Sequence, residues 1–318
     1  VRDLSTLPKA NLHLHLTGSM RPGTLAELAA RAGLPLPAAL PLRPAAAGVT
    51  HGWEVFQTLY DTARAVLRTA ADITRVVTEA VSGDAAWVEI QVDPTSYAVR
   101  LGSVEAVVEA ALAGGAGLIL ASSWAASPAV AVEMAHLAAR YADRGVIGFG
   151  LSNDERLGRV EDFAPACRIA AEAGLRIVPH GGFYEGPAHV RRCVEVLGAR
   201  RIGHGLTAAG DPAVVRLLAD TGVALEICPA SYPPLGVNTV AELPVRALLD
   251  AGVPVVLGSD DPLLFGVELT GQYELLRSDA GLTDSELATI ARNSITASAA
   301  PSSLAATMLA GVDAWLAG

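Results

Sequence analysis

Short apolar runs rich in β-branched residues recur eight times along this chain, at 11–16, 86–92, 117–122, 145–151, 175–179, 200–204, 223–228 and 253–259. Segments with helical apolar spacing lie between them, among them 127–143, 161–173, 186–197, 211–221 and 242–251. Several of these end in glycine just before the next run, as in Ala173-Gly174, Thr221-Gly222 and Ala251-Gly252, the usual stop signal of a helix. Continuous apolar strands alternating with helices through short connections read as a parallel sheet covered on both faces. Eight such units predict a closed (β/α)8 TIM barrel. An open doubly wound sheet is the competing arrangement, but a glycine-rich dinucleotide turn should then follow the first strand, and Leu16-Thr17-Gly18-Ser19-Met20 does not supply one.

The chain length of 318 residues suits one barrel, so residues 1–318 are read as a single domain. The longest interval between strands, 20–85, carries extra helical patterns and the prolines Pro35, Pro37, Pro41 and Pro44, and is expected to cap the barrel mouth. Three further helical patterns after residue 266 are expected to close the underside or flank it.

Hydrophobic residues make up 51% of the chain and charged residues only 18%, which supports a large core and argues against disorder. The formal net charge of −10 opposes a polyanionic partner, because nucleic-acid binding depends on neutralising phosphates. A small neutral or cationic ligand fits better. Lys9 is the only lysine, a bias attributed to a GC-rich bacterial genome. Cys167, Cys193 and Cys228 have neither disulfide-framework nor thiolate-cluster spacing. With no apolar run of membrane-spanning length and no signal-like start, the cytoplasm is the expected compartment.

The chemistry concentrates at strand ends. His13 and His15 stand two apart on the first strand, so both side chains face one side and can share an ion; taken alone, the pair reads equally well as two satisfied core histidines. His180 ends the fifth run, His204 the sixth, and Asp260-Asp261 follow the eighth. Of seven histidines, four therefore fall where barrel enzymes build their sites. Three imidazoles and a carboxylate suit zinc or another divalent transition metal, which makes a water nucleophilic at neutral pH. His204 and Asp260 are placed to orient or deprotonate that water, and Asp261 to accept a hydrogen bond from substrate. His51, His136 and His189 are read as surface or packing residues, and Cys228 as buried.

Leu7-Pro8-Lys9-Ala10 followed by the HLHLTGS stretch, the HGG at 180–182, the GHG at 203–205, CPAS at 228–231 and SDDPLLF at 259–265 together resemble the adenosine deaminase-like branch of the metal-dependent amidohydrolase superfamily. The resemblance implies one zinc held by His13, His15, His180 and Asp260, with His204 assisting the water. It also implies that Asp261 bonds a substrate ring nitrogen and that a backbone group near Gly150 or Gly182 fixes the substrate. The implied reaction is hydrolytic deamination of an aminopurine.

The chain also departs from the family pattern. The family's proton-donating Glu, three positions after the histidine of the HGG motif, is here Phe183. Glu185, two positions on, is a candidate substitute acid; otherwise it is a solvated first-turn residue. Thr17 stands where nucleoside-specific members carry a carboxylate, Trp124 follows an unusual third-strand end, and Tyr232 replaces an Asn. Thr17, Trp124 and Phe183 are therefore counted among the substrate-side positions. Three functions follow: a zinc-dependent hydrolase attacking a C–N centre of a heterocycle or amide with chemistry or substrate altered from adenosine deamination; an adenosine or adenine deaminase using Glu185 or water as acid; or a catalytically silent protein that binds a nucleoside-like ligand.

Overall fold

In the computed structural model, which describes residues 2–37, 40–42 and 51–318, eight parallel strands are ordered β1 to β8. They are β1 (Ala10–Asn11), β2 (Trp87–Val92), β3 (Gly117–Ser123), β4 (Val146–Ser152), β5 (Arg176–Gly181), β6 (Arg201–His204), β7 (Ala224–Ile227) and β8 (Val255–Leu257). Pairing of Leu14 with Asp260 joins the last strand back to the first, giving the (β/α)8 barrel. Strand residues are buried almost throughout, Ile90, Leu118, Phe149, Ile202, Leu225 and Val256 among them, as expected of a parallel sheet enclosed by helices.

The first strand differs from the expected 11–16. Regular pairing covers only Ala10–Asn11, and further on contact survives as single bridges, Leu14 to Asp260 and His15 to Gln91. The cause lies in the neighbouring chain. Gly258 approaches so closely that a Cβ there would fall 2.3 Å from the Cβ of His13, and Asp260 adopts φ 58°. The ladder is bent around the site, although Asp260 still donates its N–H to the His13 carbonyl and accepts from the His15 N–H.

The crossover helices begin as their sequences require. Pro128, Pro187 and Pro212 occupy first-turn positions, where a missing N–H costs nothing, and the Ser127 and Asp211 side chains cap two of these helices. Helices Pro22–Ala32, Gly52–Arg64 and Ala70–Val81 fill the long interval between β1 and β2. Pro44 lies outside the described residues. After β8 and the short helix Pro262–Phe265 come three longer helices, Leu269–Ser278, Asp284–Ala297 and Ser302–Ala317. The middle one braces the seam: Asn293 donates to the Val255 carbonyl, and Ser294 Oγ accepts from the Ala10 N–H. Among the described residues no helix is long and apolar enough to cross a membrane.

Candidate metal and active site

Strand alternation sends His13 and His15 to the same side, and both Nε2 atoms stand 3.5 Å from Asp260 Oδ1. His15 Nε2 also faces His180 Nε2 at 3.1 Å. The far nitrogens of two rings are occupied: His13 Nδ1 lies 2.8 Å from Glu226 Oε2, and His180 Nδ1 is 2.9 Å from the Leu151 carbonyl. Such partners fix the tautomer and aim Nε2 inward. His13 Nε2 is buried without a hydrogen-bond partner among the described residues. Imidazole nitrogens converging beside a carboxylate are the donor set a divalent cation would take, so the residues present fit a divalent metal. Burial disfavours a charged His13, but the adjoining Asp260 and Glu226 outweigh it and raise its pKa to about 10.

His204 ends β6 beside this cluster, its ring centroid 4.8 Å from that of His13 and its Nδ1 3.3 Å from the Tyr232 hydroxyl. Burial lowers its pKa to about 3, so the ring is neutral at physiological pH. His204 and Asp260 have φ of 69° and 58°, and Asn153 in the cavity wall has 73°. Left-handed backbone at non-glycine residues costs roughly 1–3 kcal/mol each and clusters where function requires it. Asp261 is fully enclosed, and burial, reinforced by the Asp260 charge, pushes its carboxyl well above the usual range. Its Oδ1 has no partner among the described residues, and the side chain lines the cavity.

The cavity, about 930 Å³ counted to its open mouth, runs from His15, His180, His204 and Asp260 up to the long β1–β2 segment. Trp53, Phe56, Gln57, Tyr60 and Arg64 project into it from one face of helix Gly52–Arg64, the spacing of a helical stripe. Thus the expected cap is present. Phe183 and Tyr184 line the opposite wall, with the Phe183 ring 4.7 Å from that of His204 and 5.7 Å from that of Tyr232.

Other residues singled out in the sequence sit elsewhere. Glu185 is half-buried and is not among the cavity-lining residues; its carbonyl accepts from Thr207. Trp124 folds away behind β5, between Phe163 and His189, and donates its indole N–H to the His180 carbonyl. Thr17 is buried one layer out, bonded to the Tyr97 hydroxyl at 2.8 Å, and Tyr97 is what reaches the cavity. Gly150 makes room for Gln91, since a Cβ there would fall 2.3 Å from Gln91 Nε2. At Gly182, φ of 69° turns the loop after β5. His136 is exposed, whereas His189 packs against Trp124. The Cys228 thiol is fully buried, and burial pushes it well above its usual value, so it is unreactive.

Three contributors escaped the sequence reading. Glu226 orients His13, and Gln91 lines the cavity with an Oε1 that has no partner among the described residues. Both are polar residues in otherwise apolar strands, and that interruption was the available signal. The third, Glu155, accepts the N–H groups of Phe183, Tyr184 and Glu185 on one oxygen at 2.9, 2.7 and 2.6 Å. It therefore sets the loop that carries Phe183. Replacing Glu155 by Ala should destabilise the protein by about 2–4 kcal/mol, because three N–H groups lose a charged acceptor. Gln, which keeps one acceptor oxygen, should cost less; denaturant unfolding of both variants checks the order.

The adenosine deaminase family model matches residues 8–315. The chain belongs to this family. It is 50% identical to a Streptomyces virginiae protein to which adenosine/adenine deaminase activity is ascribed, over 100% of this chain and 99% of that one. Among solved structures, an adenine deaminase from Arthrobacter aurescens superposes with a TM-score of 0.86 at 30% identity, covering 98% of this chain and 100% of the other. An amidohydrolase from Burkholderia ambifaria, solved with bound zinc, shares the fold at a TM-score of 0.85 and 24% identity, over 99% and 94% of the two chains. Members of this metal-dependent family are hydrolases acting on carbon–nitrogen bonds, and hydrolytic deamination of a heterocycle is the activity this membership establishes.

Proposed function

We propose that this protein is a zinc-dependent deaminase of a neutral or cationic amino-substituted nitrogen heterocycle, and that adenosine in its ordinary form is not its best substrate. The observation that carries this reading is Phe183, whose ring occupies the cavity wall against His204, where the family pattern calls for a proton-donating carboxylate. Glu185 offers no replacement from its place outside the lining. The residues that would hold zinc are His13, His15, His180 and Asp260, and when bound the ion would make a water nucleophilic at neutral pH.

Around that centre His204 and Asp260, which converge beside His13, are the groups that would take the proton of the attacking water. Asp261, buried and favouring its neutral form, offers the ring either a donor or an acceptor. Phe56, Tyr60, Tyr184 and Phe265 supply faces for a planar ring. Besides the neutral Asp261, the lining carries Asp93, Asp154, Glu155 and Asp260 against, among the described residues, the guanidinium of Arg64 alone, which favours a substrate without a phosphate.

A second reading, deamination of adenosine or adenine proper, is favoured by the 50% identity to the Streptomyces virginiae protein. One assay addresses both. Purified zinc-loaded protein is offered adenine, adenosine, AMP and a panel of other amino-substituted heterocycles, and ammonia release is followed. The expected result is release from a member of the panel other than adenosine or adenine, with AMP inert. Preferred turnover of AMP would overturn the neutral-substrate assignment, and preferred turnover of adenosine or adenine would establish the second reading.

A further inference from the structure

Beneath the histidine cluster, three charged side chains are packed together out of contact with solvent. Arg201 opens β6, Glu226 lies on β7 and Glu89 on β2, and none of the three side chains is more than 2% exposed. Arg201 Nε donates to Glu226 Oε1 at 2.6 Å, its Nη2 donates to Glu89 Oε2 at 2.6 Å, and its Nη1 donates to the Ala297 carbonyl at 2.9 Å. Glu89 spends its other oxygen on the Ala299 N–H and the Trp87 indole. Glu226 spends its other oxygen on His13 Nδ1.

Buried ion clusters of this kind contribute little net stability, because desolvation cancels most of the attraction and apolar side chains of equal volume do as well. The connectivity gives this one a different use. A carboxylate has two oxygens and many orientations; with Oε1 fixed by the planar fork of Arg201, only Oε2 is left for His13. The His13 ring is then held with Nδ1 downward and Nε2 toward Asp260. Glu89 and the Ala297 carbonyl in turn hold the guanidinium, so the end of helix Asp284–Ala297 is tied to the orientation of the His13 ring.

On this basis, and resting on the metal-site reading above, we propose that Arg201 is a positioning residue for the metal: through Glu226 it fixes the His13 ring and so sets the affinity of the site for a divalent ion. Arginine is required because lysine has no fork with which to hold both carboxylates at once. Glutamine cannot replace Glu226 either: Arg201 donates to one oxygen and His13 Nδ1 faces the other, so an amide would set its NH2 in place of one of those acceptors.

The test uses cobalt(II) as the probe ion, with its dissociation constant measured by chelator competition in wild type, Arg201→Lys and Glu226→Gln, beside the visible cobalt spectrum and the unfolding midpoint. Loss of an outer-shell partner to a metal histidine typically costs about 10- to 100-fold in affinity. We expect a loss in that range in Glu226→Gln and about 10-fold in Arg201→Lys, each with an altered cobalt spectrum. Binding within twofold of wild type in Arg201→Lys, with only the unfolding midpoint lowered, would show a merely structural cluster and overturn the proposal. Should Arg201→Lys fail to fold, Glu226→Gln decides by the same twofold criterion. Wild-type protein that takes up no cobalt would overturn the metal site itself, an outcome distinct from variants that bind as well as wild type.

Discussion

Changing His13 or His15 to Ala should reduce the metal content of the purified protein from close to one divalent ion per chain to almost none. Each residue supplies one of the Nε2 atoms gathered around Asp260 Oδ1, and a site of this kind has few ligands to lose. The remaining imidazoles would then face a buried carboxylate with nothing to balance it. Asp260→Asn should also weaken the metal, and His204→Ala should leave it in place. Both should lower turnover by about 10²-fold or more, because in the proposed mechanism both groups handle the proton of the attacking water. Elemental analysis of protein prepared without chelator is the check. Wild type without metal would remove the basis of the mechanism, and full metal in His13→Ala would move the site elsewhere.

The second large effect concerns Phe183. Attack on the purine ring is driven by protonation of the neighbouring ring nitrogen, and a phenyl group donates no proton. Loss of a general acid costs about 10²- to 10⁴-fold. Wild-type protein should therefore deaminate adenosine well below ordinary enzymatic rates of about 1 to 10³ per second. Phe183→Glu should raise that rate. The introduced carboxyl would sit in the wall between the His204 and Tyr232 rings, where burial raises its pKa and favours the protonated, donating form at neutral pH. The loop position would be kept, because Glu155 holds the backbone and not the side chain of residue 183. The change in ultraviolet absorbance on deamination measures both proteins. Rapid adenosine turnover by wild type would refute the assignment of Phe183 and return the acid's role to another group; the first to test would be Glu185, as Glu185→Gln.

The barrel and its candidate metal ligands were legible in the chain itself because both follow from local periodicity. Apolar runs of strand length predict buried parallel strands, glycines after helical stretches mark where helices stop, and a spacing of two puts His13 and His15 on one side. Strand ends form one rim of a barrel, so His180, His204 and Asp260 could be gathered with them before any coordinates. What periodicity does not encode is where a side chain points once the strand has ended. Trp124, one residue beyond β3, turns back to the His180 carbonyl, and Thr17 reaches the cavity only through Tyr97. Glu185 was near the site in sequence, yet Glu155, thirty residues earlier, is the carboxylate that shapes its loop.

Long-range pairing was equally hidden. Glu89, Arg201 and Glu226 looked like isolated polar interruptions of three separate strands, and only barrel closure makes them one cluster under His13. The sequence by itself determined the fold and which atoms can bind a metal, since those depend on spacing within single elements. The tertiary structure decided which groups orient those atoms and which face the substrate, since these depend on close approaches between elements far apart in the chain, such as Gly258 against His13 and Gly150 against Gln91.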